Sequence, residues 1–206
     1  MSIRIGINGF GRMGKLGLRV GWNRPGLEFV HINEIKGDAG CHAHLLEFDS
    51  IHGRWDQNIF FDDNSFSIHG KTIGFSSHVF PEEVKWGDKG IDLLIDCSGR
   101  FKTGASLKPY FDQGIRKVLV SAPVPEPALN IVYGVNHHLY NPATHDIVTA
   151  ASCTTNCLAP MIKVIHENIG IRHGCMTTIH DITNTQTIVD KGHQRSEERR
   201  VGKECR

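Results

Sequence analysis

The stretch IRIGINGFGRMGKLGLRVGW, residues 3–22, joins a strand pattern to a helix pattern through a glycine-rich turn. Its opening part alternates isoleucine with other residues, which predicts a β-strand. Gly9, Gly11 and Gly14 follow with Gly-x-Gly-x-x-Gly spacing. That spacing alone is a weak indicator, but a strand before it and a helix after it are the context that dinucleotide binding requires.

The three glycines have separate predicted roles in such a site. Gly9 permits the tight turn, Gly11 lets the backbone approach a pyrophosphate, and Gly14 lets the helix pack closely on the sheet. The helix then offers its first N–H groups to the phosphates. Glu34 lies 20 residues after Gly14 and directly follows a predicted strand. A carboxylate there accepts from both ribose hydroxyls and repels a 2′-phosphate, which favours NAD over NADP.

Strands and helices alternate up to residue 121, which predicts an α/β protein with a Rossmann-type, right-handed parallel sheet. In the first helix, we place the apolar face at Met13, Leu16, Val20 and Trp22. Pro109 is expected to interrupt or delay a short helix. The other predicted elements are strands over 27–33, 91–99, 117–123 and 146–152, short strands within 59–76, helices over about 40–48 and over 153–168, and a strand that begins at Cys175.

Small polar residues follow two of these strands. Ser98 and Gly99 come after the apolar run that begins at Ile91, and Ser121 comes after the next strand. Open α/β sheets bind ligands at the carboxyl ends of their strands, so we predict that these three residues contact the cofactor. Ordinary loop polarity is the alternative explanation.

Cys153 lies where a predicted strand ends and a helix begins. The N–H groups and dipole of a helix start lower the pKa of a thiol there. His180 follows in a β-branched run and could take the thiol proton, although a buried, inert cysteine is the alternative. Ser152 and Thr154 flank the thiol and could hold an attacking phosphate, and Thr183 could hold a substrate phosphate.

A cofactor site and a thiolate together define an aldehyde oxidation. The thiolate adds to the aldehyde to give a thiohemiacetal, and hydride transfer to the nicotinamide gives a thioester. Phosphate or water then releases the acyl group.

Composition narrows the class of protein further. The net charge is +1, which gives no reason to expect a nucleic acid or a membrane surface as partner. Six irregularly spaced cysteines indicate reduced thiols and a cytoplasmic location. The histidines are scattered and lack the spacing of a metal site, so no metal is expected.

The segment RSEERRVGKECR, residues 195–206, differs from everything before it because it contains five basic, three acidic and almost no apolar residues. A common sequencing adapter can encode all twelve residues, so we expect this segment to be non-native. The alternative is a solvated helix end. The predicted domains are then an NAD-binding Rossmann domain over 1–152 and the incomplete start of an α+β catalytic domain over 153–194.

The segments GINGFGRMG, FDSIHGRW, ASCTTNCLAP and MTTIHDITNTQTIVD resemble phosphorylating glyceraldehyde-3-phosphate dehydrogenases over residues 1 to about 193. This resemblance implies that Cys153 is the nucleophile and His180 its activating base. It also implies that Arg12 and Met13 contact the NAD pyrophosphate through their backbone.

By the same resemblance, Ser152, Thr154 and Thr183 hold inorganic and substrate phosphate. The implied reaction is the glycolytic oxidation of glyceraldehyde 3-phosphate, with NAD and inorganic phosphate, to 1,3-bisphosphoglycerate by a homotetramer. Two enzyme alternatives remain open: an erythrose-4-phosphate dehydrogenase, and an enzyme that uses arsenate in place of phosphate and gives 1-arseno-3-phosphoglycerate.

The sequence departs from the family pattern at several places. Glu34 stands where many members have aspartate, and Val79 stands where many have an arginine near adenine. Family segments that complete the active site would follow residue 194. We therefore expect little turnover from this chain, and a bare dinucleotide-binding module is the alternative outside the enzymes.

Overall fold

The structure is a computed structural model that describes residues 2–180. The chain divides into two compact units, Met1–Asn168 and Ile169–Arg206. The strands and helices that the structure describes in residues 2–180 lie in the first unit: β1 (Ile3–Asn8), α1 (Arg12–Gly21), β2 (Leu27–Asn33), α2 (Ala39–Glu47), β3 (Phe48–Asp49), β4 (Gly53–Arg54), β5 (Ile59–Asp62), β6 (Ser65–Ile68), β7 (Lys71–Ser76), β8 (Leu93–Asp96), α3 (Gly104–Asp112), β9 (Lys117–Val120), β10 (Leu129–Asn130), β11 (Ile147–Thr149) and α4 (Cys153–Asn168).

Within the described residues, nine strands form one sheet in the order β10-β11-β9-β8-β1-β2-β7-β6-β5. The neighbouring strands from β10 to β7 are parallel, and β6 and β5 add an antiparallel edge. The chain leaves β1 toward β2 on one side and later returns to β8 on the other. Such a change of direction opens a crevice at the carboxyl ends of the strands, where α/β proteins bind ligands. The predicted α/β class is confirmed.

Two apolar clusters cover opposite faces of the sheet. Leu93 and Ile95 of β8 pack against one cluster, whereas Leu94 between them belongs to the other. Successive side chains of a strand point to opposite faces, so the clusters are separated by the sheet. Helices α1 and α2 contribute to the first cluster and α3 contributes to the second.

The predicted apolar face of α1 is wrong at two positions. Met13 is 56% exposed and Val20 is 70% exposed, whereas Trp22 is buried as expected. The buried side is formed by Gly14, Lys15, Leu18 and Gly21. A Cβ atom at Gly14 would lie 2.3 Å from the Gly9 carbonyl oxygen. Close approach of the helix to the Gly9 turn therefore selects glycine at position 14, whereas Met13 and Val20 lie on the solvent side of the helix.

Two further local predictions need correction. Helix α3 begins at Gly104 and runs through Pro109 without interruption. The proline deprives the Ala105 carbonyl of its helical N–H partner, but Ala105 is exposed and water can replace that donor. Residues 175–180 have no regular secondary structure, in contrast to the strand predicted from Cys175, and the rest of that strand lies outside the described residues.

The segments predicted as helices over 40–48 and 153–168 correspond to α2 and α4, and the short strands within 59–76 are β5, β6 and β7. The first unit includes α4, and the domain boundary after residue 152 stays a prediction. No helix in residues 2–180 combines the length and apolarity needed to cross a membrane.

Candidate active site

The turn after β1 depends on Gly9, whose φ is +89°. Its amide donates to the Asn33 carbonyl oxygen at 2.8 Å, which ties the turn to the end of β2. A Cβ atom at Gly9 would lie 2.4 Å from the Ser98 amide nitrogen. Both the conformation and the contact exclude a side chain there.

Gly11 is the N-cap of α1, and a Cβ atom added to it would have no neighbour within 4 Å. No side chain of the described residues caps this helix, and its first turn carries no acidic residue. The first N–H groups of α1 therefore face an open space, here called the cradle, that borders Gly11 and contains no side chain of that residue. An anionic group such as a pyrophosphate fits such a cradle.

Arg12 and Met13 are the first two residues of α1 and are both exposed. The Arg12 guanidinium lies 3.3 Å from the Asp49 carboxylate. That carboxylate also accepts from the amides of His52 and Ile51. These amides, His52 first, hold the pKa of Asp49 well below its usual range. The Arg12 side chain is thus directed to a fixed anion, which leaves its backbone to line the cradle.

Glu34 follows β2 and its carboxylate bridges two backbone amides. Oε2 accepts from the Phe10 amide at 2.6 Å, and Oε1 accepts from the Lys36 amide at 3.1 Å. A carboxylate has about four acceptor positions, so two remain for other donors. The acid is fixed directly beside the glycine turn, where ribose hydroxyls could reach it.

Ser98 and Gly99 follow β8 and adjoin the glycine turn. The Ser98 amide and hydroxyl donate to Oδ1 of Asp96 at 3.0 and 2.7 Å. Gly99 adopts a φ of +68°. The Ser121 amide, at the end of β9, donates to the Asp96 carbonyl oxygen at 2.9 Å. Asp96 therefore fixes the loops of two adjacent strands at the same edge of the sheet.

A buried polar network beneath these turns was missed by the sequence analysis. The Asn33 amide group donates to Asn8 Oδ1 at 2.8 Å, and Asn8 in turn donates to the Tyr110 hydroxyl at 2.5 Å. The Tyr110 hydroxyl donates to Asp96 Oδ2 at 2.6 Å. The signal available in the sequence was that each of the apolar strands β1, β2 and β8 ends in a polar residue. In the structure, these polar residues link the strand ends beneath the site.

Burial raises the pKa of Asp96, while hydrogen bonds from Tyr110 and Ser98 oppose that shift. Burial also raises the pKa of Tyr110, and the Asp96 charge adds to it. The pKa of the Cys97 thiol is raised to about 11, again chiefly by burial. Cys97 is therefore a protonated packing residue at neutral pH rather than a second nucleophile.

Cys153 is the first residue of α4, and the chain reaches it through a strained residue. Ala151 has a φ of +55°, which is unusual for a residue with a side chain. The Ser152 hydroxyl accepts from the Thr155 amide at 3.0 Å, as an N-cap residue does. The Asn156 side chain donates to the Ser152 carbonyl oxygen at 2.9 Å. These bonds fix the thiol at a helix start, and it is exposed.

A groove of about 560 Å³ runs beside this helix start. Ser152 and Thr155 line it together with Pro123, which follows β9, and Asn130, the last residue of β10. The hydroxyl groups therefore border a space large enough for a small ligand. Thr154 is the second residue of α4 and is half-buried.

The first unit thus brings most predicted site residues to the carboxyl ends of its strands. His180 is exposed and belongs to the second unit, and Thr183 lies outside the described residues. No group of metal-binding side chains occurs in residues 2–180. The residues gathered in the first unit are Gly9, Gly11, Arg12, Met13, Glu34, Ser98, Gly99, Ser121, Ser152, Cys153 and Thr154.

Comparison with protein families gives this site a context. Residues 3–104 match the model of the NAD binding domain of glyceraldehyde 3-phosphate dehydrogenase, and residues 152–204 match the model of its C-terminal domain. The chain belongs to the glyceraldehyde-3-phosphate dehydrogenase family. Its dinucleotide turn therefore lies in the NAD-binding domain of the family, and Cys153 lies at the start of the part that matches the C-terminal domain.

Three relatives illustrate the similarity to glyceraldehyde-3-phosphate dehydrogenases. The chain is 59% identical to glyceraldehyde-3-phosphate dehydrogenase 3 of Nostoc sp., 42% identical to glyceraldehyde-3-phosphate dehydrogenase 1 of Bacillus subtilis and 41% identical to the enzyme of Geobacillus stearothermophilus. Each alignment covers 94% of this chain and 58% of the relative. The chain thus spans little more than half the length of these relatives. The predicted non-native origin of residues 195–206 stays a prediction.

Proposed function

We propose that the whole protein oxidises glyceraldehyde 3-phosphate with NAD and inorganic phosphate to 1,3-bisphosphoglycerate. The observation that carries this proposal is the exposed Cys153 at the first residue of α4, on the sheet edge that also holds the glycine turn. A nucleophilic thiol and a dinucleotide cradle on one edge suit aldehyde oxidation through a thioester. The relatives named glyceraldehyde-3-phosphate dehydrogenase support the choice of aldehyde.

The residues present fit NAD. The open space at Gly11 and the uncapped start of α1 suit the pyrophosphate, and the fixed Glu34 suits the ribose hydroxyls. Ser98, Gly99 and Ser121 lie at the next strand ends along the crevice and would border the nicotinamide half. The bound NAD would supply the acceptor for the hydride.

Residues of the chain then act on the aldehyde one after another. The Cys153 thiolate adds to the carbonyl carbon, and the carbonyl oxygen receives the proton that His180 took from the thiol, which gives a thiohemiacetal. His180 takes the proton of the thiohemiacetal hydroxyl as the hydride departs, which leaves a thioester. A phosphate oxygen attacks that thioester, and the Cys153 thiolate leaves with the electrons of its bond to carbon. The product is an acyl phosphate, and the thiolate is regenerated.

The helix start that carries Cys153 favours the ionised thiol because its N–H groups and dipole stabilise a negative charge. Ser152 and Thr154 flank that charge and would hold the attacking phosphate, and Thr183 would hold the phosphate of the substrate. Ser152 keeps its hydroxyl next to Thr155 at 2.7 Å, so the two hydroxyls would act together.

We also propose a cytoplasmic location and a homotetramer for the whole protein. In the described residues, Cys41, Cys97, Cys157 and Cys175 are not in disulfides, which suits a reducing compartment. The tetramer rests on the family resemblance alone.

Alkylation of single cysteines tests the nucleophile. Cys157 is an internal control because it lies one turn further along α4 and is also exposed. At pH 6 with limiting iodoacetamide, we expect Cys153 to react about tenfold faster than Cys157, because a helix start favours the thiolate. Peptide mass spectrometry measures both rates in the same sample. Equal rates would contradict an activated Cys153.

Turnover assays separate the related functions. We expect the 206-residue chain to produce little NADH, and a longer chain of the relatives' length to produce it with glyceraldehyde 3-phosphate and phosphate. A higher kcat/KM with erythrose 4-phosphate, or with arsenate in place of phosphate, would identify one of the alternative enzymes. NAD binding without turnover in the longer chain would indicate a binding module.

A further inference from the structure

Two buried polar side chains, Lys15 and His42, lie behind the glycine turn and are not used by the proposed reaction. Lys15 is on the sheet-facing side of α1, and His42 is on α2. They are 7% and 5% exposed. A buried lysine beside a buried histidine is costly unless both are hydrogen-bonded, so their partners are informative.

The partners close a ring of hydrogen bonds. The Lys15 ammonium donates to the Phe10 carbonyl oxygen and, at 2.9 Å, to Nδ1 of His42. His42 Nε2 donates to the Lys36 carbonyl oxygen at 2.6 Å. The amides of Phe10 and Lys36 both donate to the Glu34 carboxylate. Each of the two backbone segments is therefore held at its N–H by the acid and at its carbonyl by the lysine–histidine pair.

The partners also fix the charge state of the histidine. The Lys36 carbonyl can only accept, so His42 Nε2 carries a proton, and a lysine ammonium can only donate, so Nδ1 is bare. Burial lowers the pKa of His42, which agrees with a neutral ring. Burial also lowers the pKa of Lys15 to about 8, opposed by the nearby Glu34 and Cys41. Asp38, the N-cap residue of α2, is the charged group that faces His42 in addition to Lys15 and Glu34.

We propose that Lys15 and His42 are positioning residues that hold Glu34 in place to select the unphosphorylated adenosine ribose of the dinucleotide. The inference rests on the proposed NAD-dependent function for its ligand. Neither side chain needs to touch the dinucleotide. They keep the Glu34 oxygens aligned between the Gly9–Gly11 turn and the Lys36 segment, so the two remaining acceptor positions of the carboxylate have a fixed direction.

This arrangement gives specificity as well as affinity. A fixed carboxylate accepts from the 2′- and 3′-hydroxyls of NAD, whereas it repels the 2′-phosphate of NADP. If Glu34 loses its alignment, the ribose of NAD loses charge-assisted hydrogen bonds. The 2′-phosphate of NADP is then repelled less, because the carboxylate can rotate away from it. We therefore expect NAD affinity to fall and NADP affinity to change little.

The test uses three variants of the 206-residue chain: Lys15→Met, His42→Phe and the double variant. The double variant replaces the polar pair by an apolar one, so that neither a buried ammonium nor a buried imidazole is left without its side-chain partner. Dissociation constants for NAD and NADP are measured by calorimetry. We expect about a tenfold loss of NAD affinity, because that is the effect of losing one hydrogen bond to a charged group. The preference for NAD over NADP should fall by the same factor.

A second readout needs no dinucleotide. The Phe10 amide donates to Glu34, and its hydrogen exchange can be followed by NMR. If the pair holds Glu34, exchange at Phe10 should be about tenfold faster in each variant, because the local opening costs less free energy. The matched control is Lys117→Met, since Lys117 donates to the His145 carbonyl and the Asp146 carboxylate at the amino end of β9. It should alter neither Phe10 exchange nor dinucleotide preference.

The outcomes separate the two claims. Unchanged Phe10 exchange and an unchanged NAD-to-NADP ratio in folded variants would refute the positioning role. Faster exchange in the variants, combined with a wild-type chain that binds neither dinucleotide, would support the hold of the pair on Glu34 and contradict the predicted dinucleotide site.

Discussion

Single buried polar residues hold the turns of the site, and each does so at a cost in solvation. His31, near the end of β2, is an example. It is 6% exposed, its Nε2 lies 2.8 Å from the Ser76 hydroxyl, and its ring packs edge-on against Trp86. Ser76 in turn donates to Asn33, which belongs to the network under the glycine turn. A neutral imidazole satisfies these contacts, but an imidazolium in this place has lost most of its hydration.

The protonation of His31 gives stability a specific pH dependence. Burial, aided by Lys89 and His78, lowers its pKa to about 3. The unfolded chain binds this proton near pH 6.5, so between pH 6.5 and 3 the unfolded state holds more protons and stability falls as the pH falls. Between pH 7 and 5, wild type should lose about 2 kcal/mol more than His31→Gln.

Urea unfolding at pH 7, 6 and 5 measures this difference. His44→Gln is the matched control because His44 is an exposed histidine of α2. The control should follow the wild-type pH dependence. Parallel curves for wild type and His31→Gln would show that His31 does not take part in acid destabilisation.

At the scale of elements, local patterns were sufficient wherever one element and its turn determine each other. The strand–glycine–helix pattern correctly predicted β1 and α1, and the apolar runs correctly predicted β8 and β9. Helix α4 begins at Cys153, as predicted. The predicted apolar face of α1 was wrong because the residues that are buried depend on how closely the helix approaches the sheet. The spacing of apolar residues along a helix does not encode that distance.

The residues that support the site were harder to predict because their contacts join distant parts of the chain. Asn8 and Tyr110 are 102 positions apart, and Lys15 and His42 are 27 apart. The first contact exists because β8, which is distant in sequence, pairs with β1 on the side opposite β2. Without the strand order, a polar residue at the end of a strand cannot be assigned a partner.

Helix α3 positions the Tyr110 hydroxyl on Asp96 and depends on its first turn. Thr103 Oγ1 accepts from the Ser106 amide at 3.2 Å, and Ser106 Oγ accepts from the Thr103 amide at 3.0 Å. Thr103→Ala should lower the free energy of unfolding by about 1 kcal/mol, whereas Thr103→Ser keeps the cap and should lose little. Urea titration measures both variants. An equal loss in both would indicate that the threonine methyl group, and not the cap, stabilises the helix.

At the scale of the whole molecule, α4 differs from α1, α2 and α3 because none of its residues is buried. Met161 and Ile165 lie four residues apart on one face and are 53% and 47% exposed. Residues at this spacing are neighbours on a helix surface, so they form one apolar strip rather than scattered contacts. The relatives are longer than this chain, which covers 58% of their length. An apolar strip of this kind favours association with another surface.

Replacing the strip should therefore change association and leave folding intact. Light scattering of the 206-residue chain should show a molecular mass that rises with concentration, and Met161→Gln/Ile165→Gln should reduce that rise. The thermal midpoint should stay nearly unchanged, because substitutions at exposed positions usually alter stability by less than about 0.5 kcal/mol. Val20→Gln is the control, since Val20 is 70% exposed on α1, away from the strip. If Val20→Gln reduces association as much as the double variant, general surface hydrophobicity rather than the α4 strip drives association.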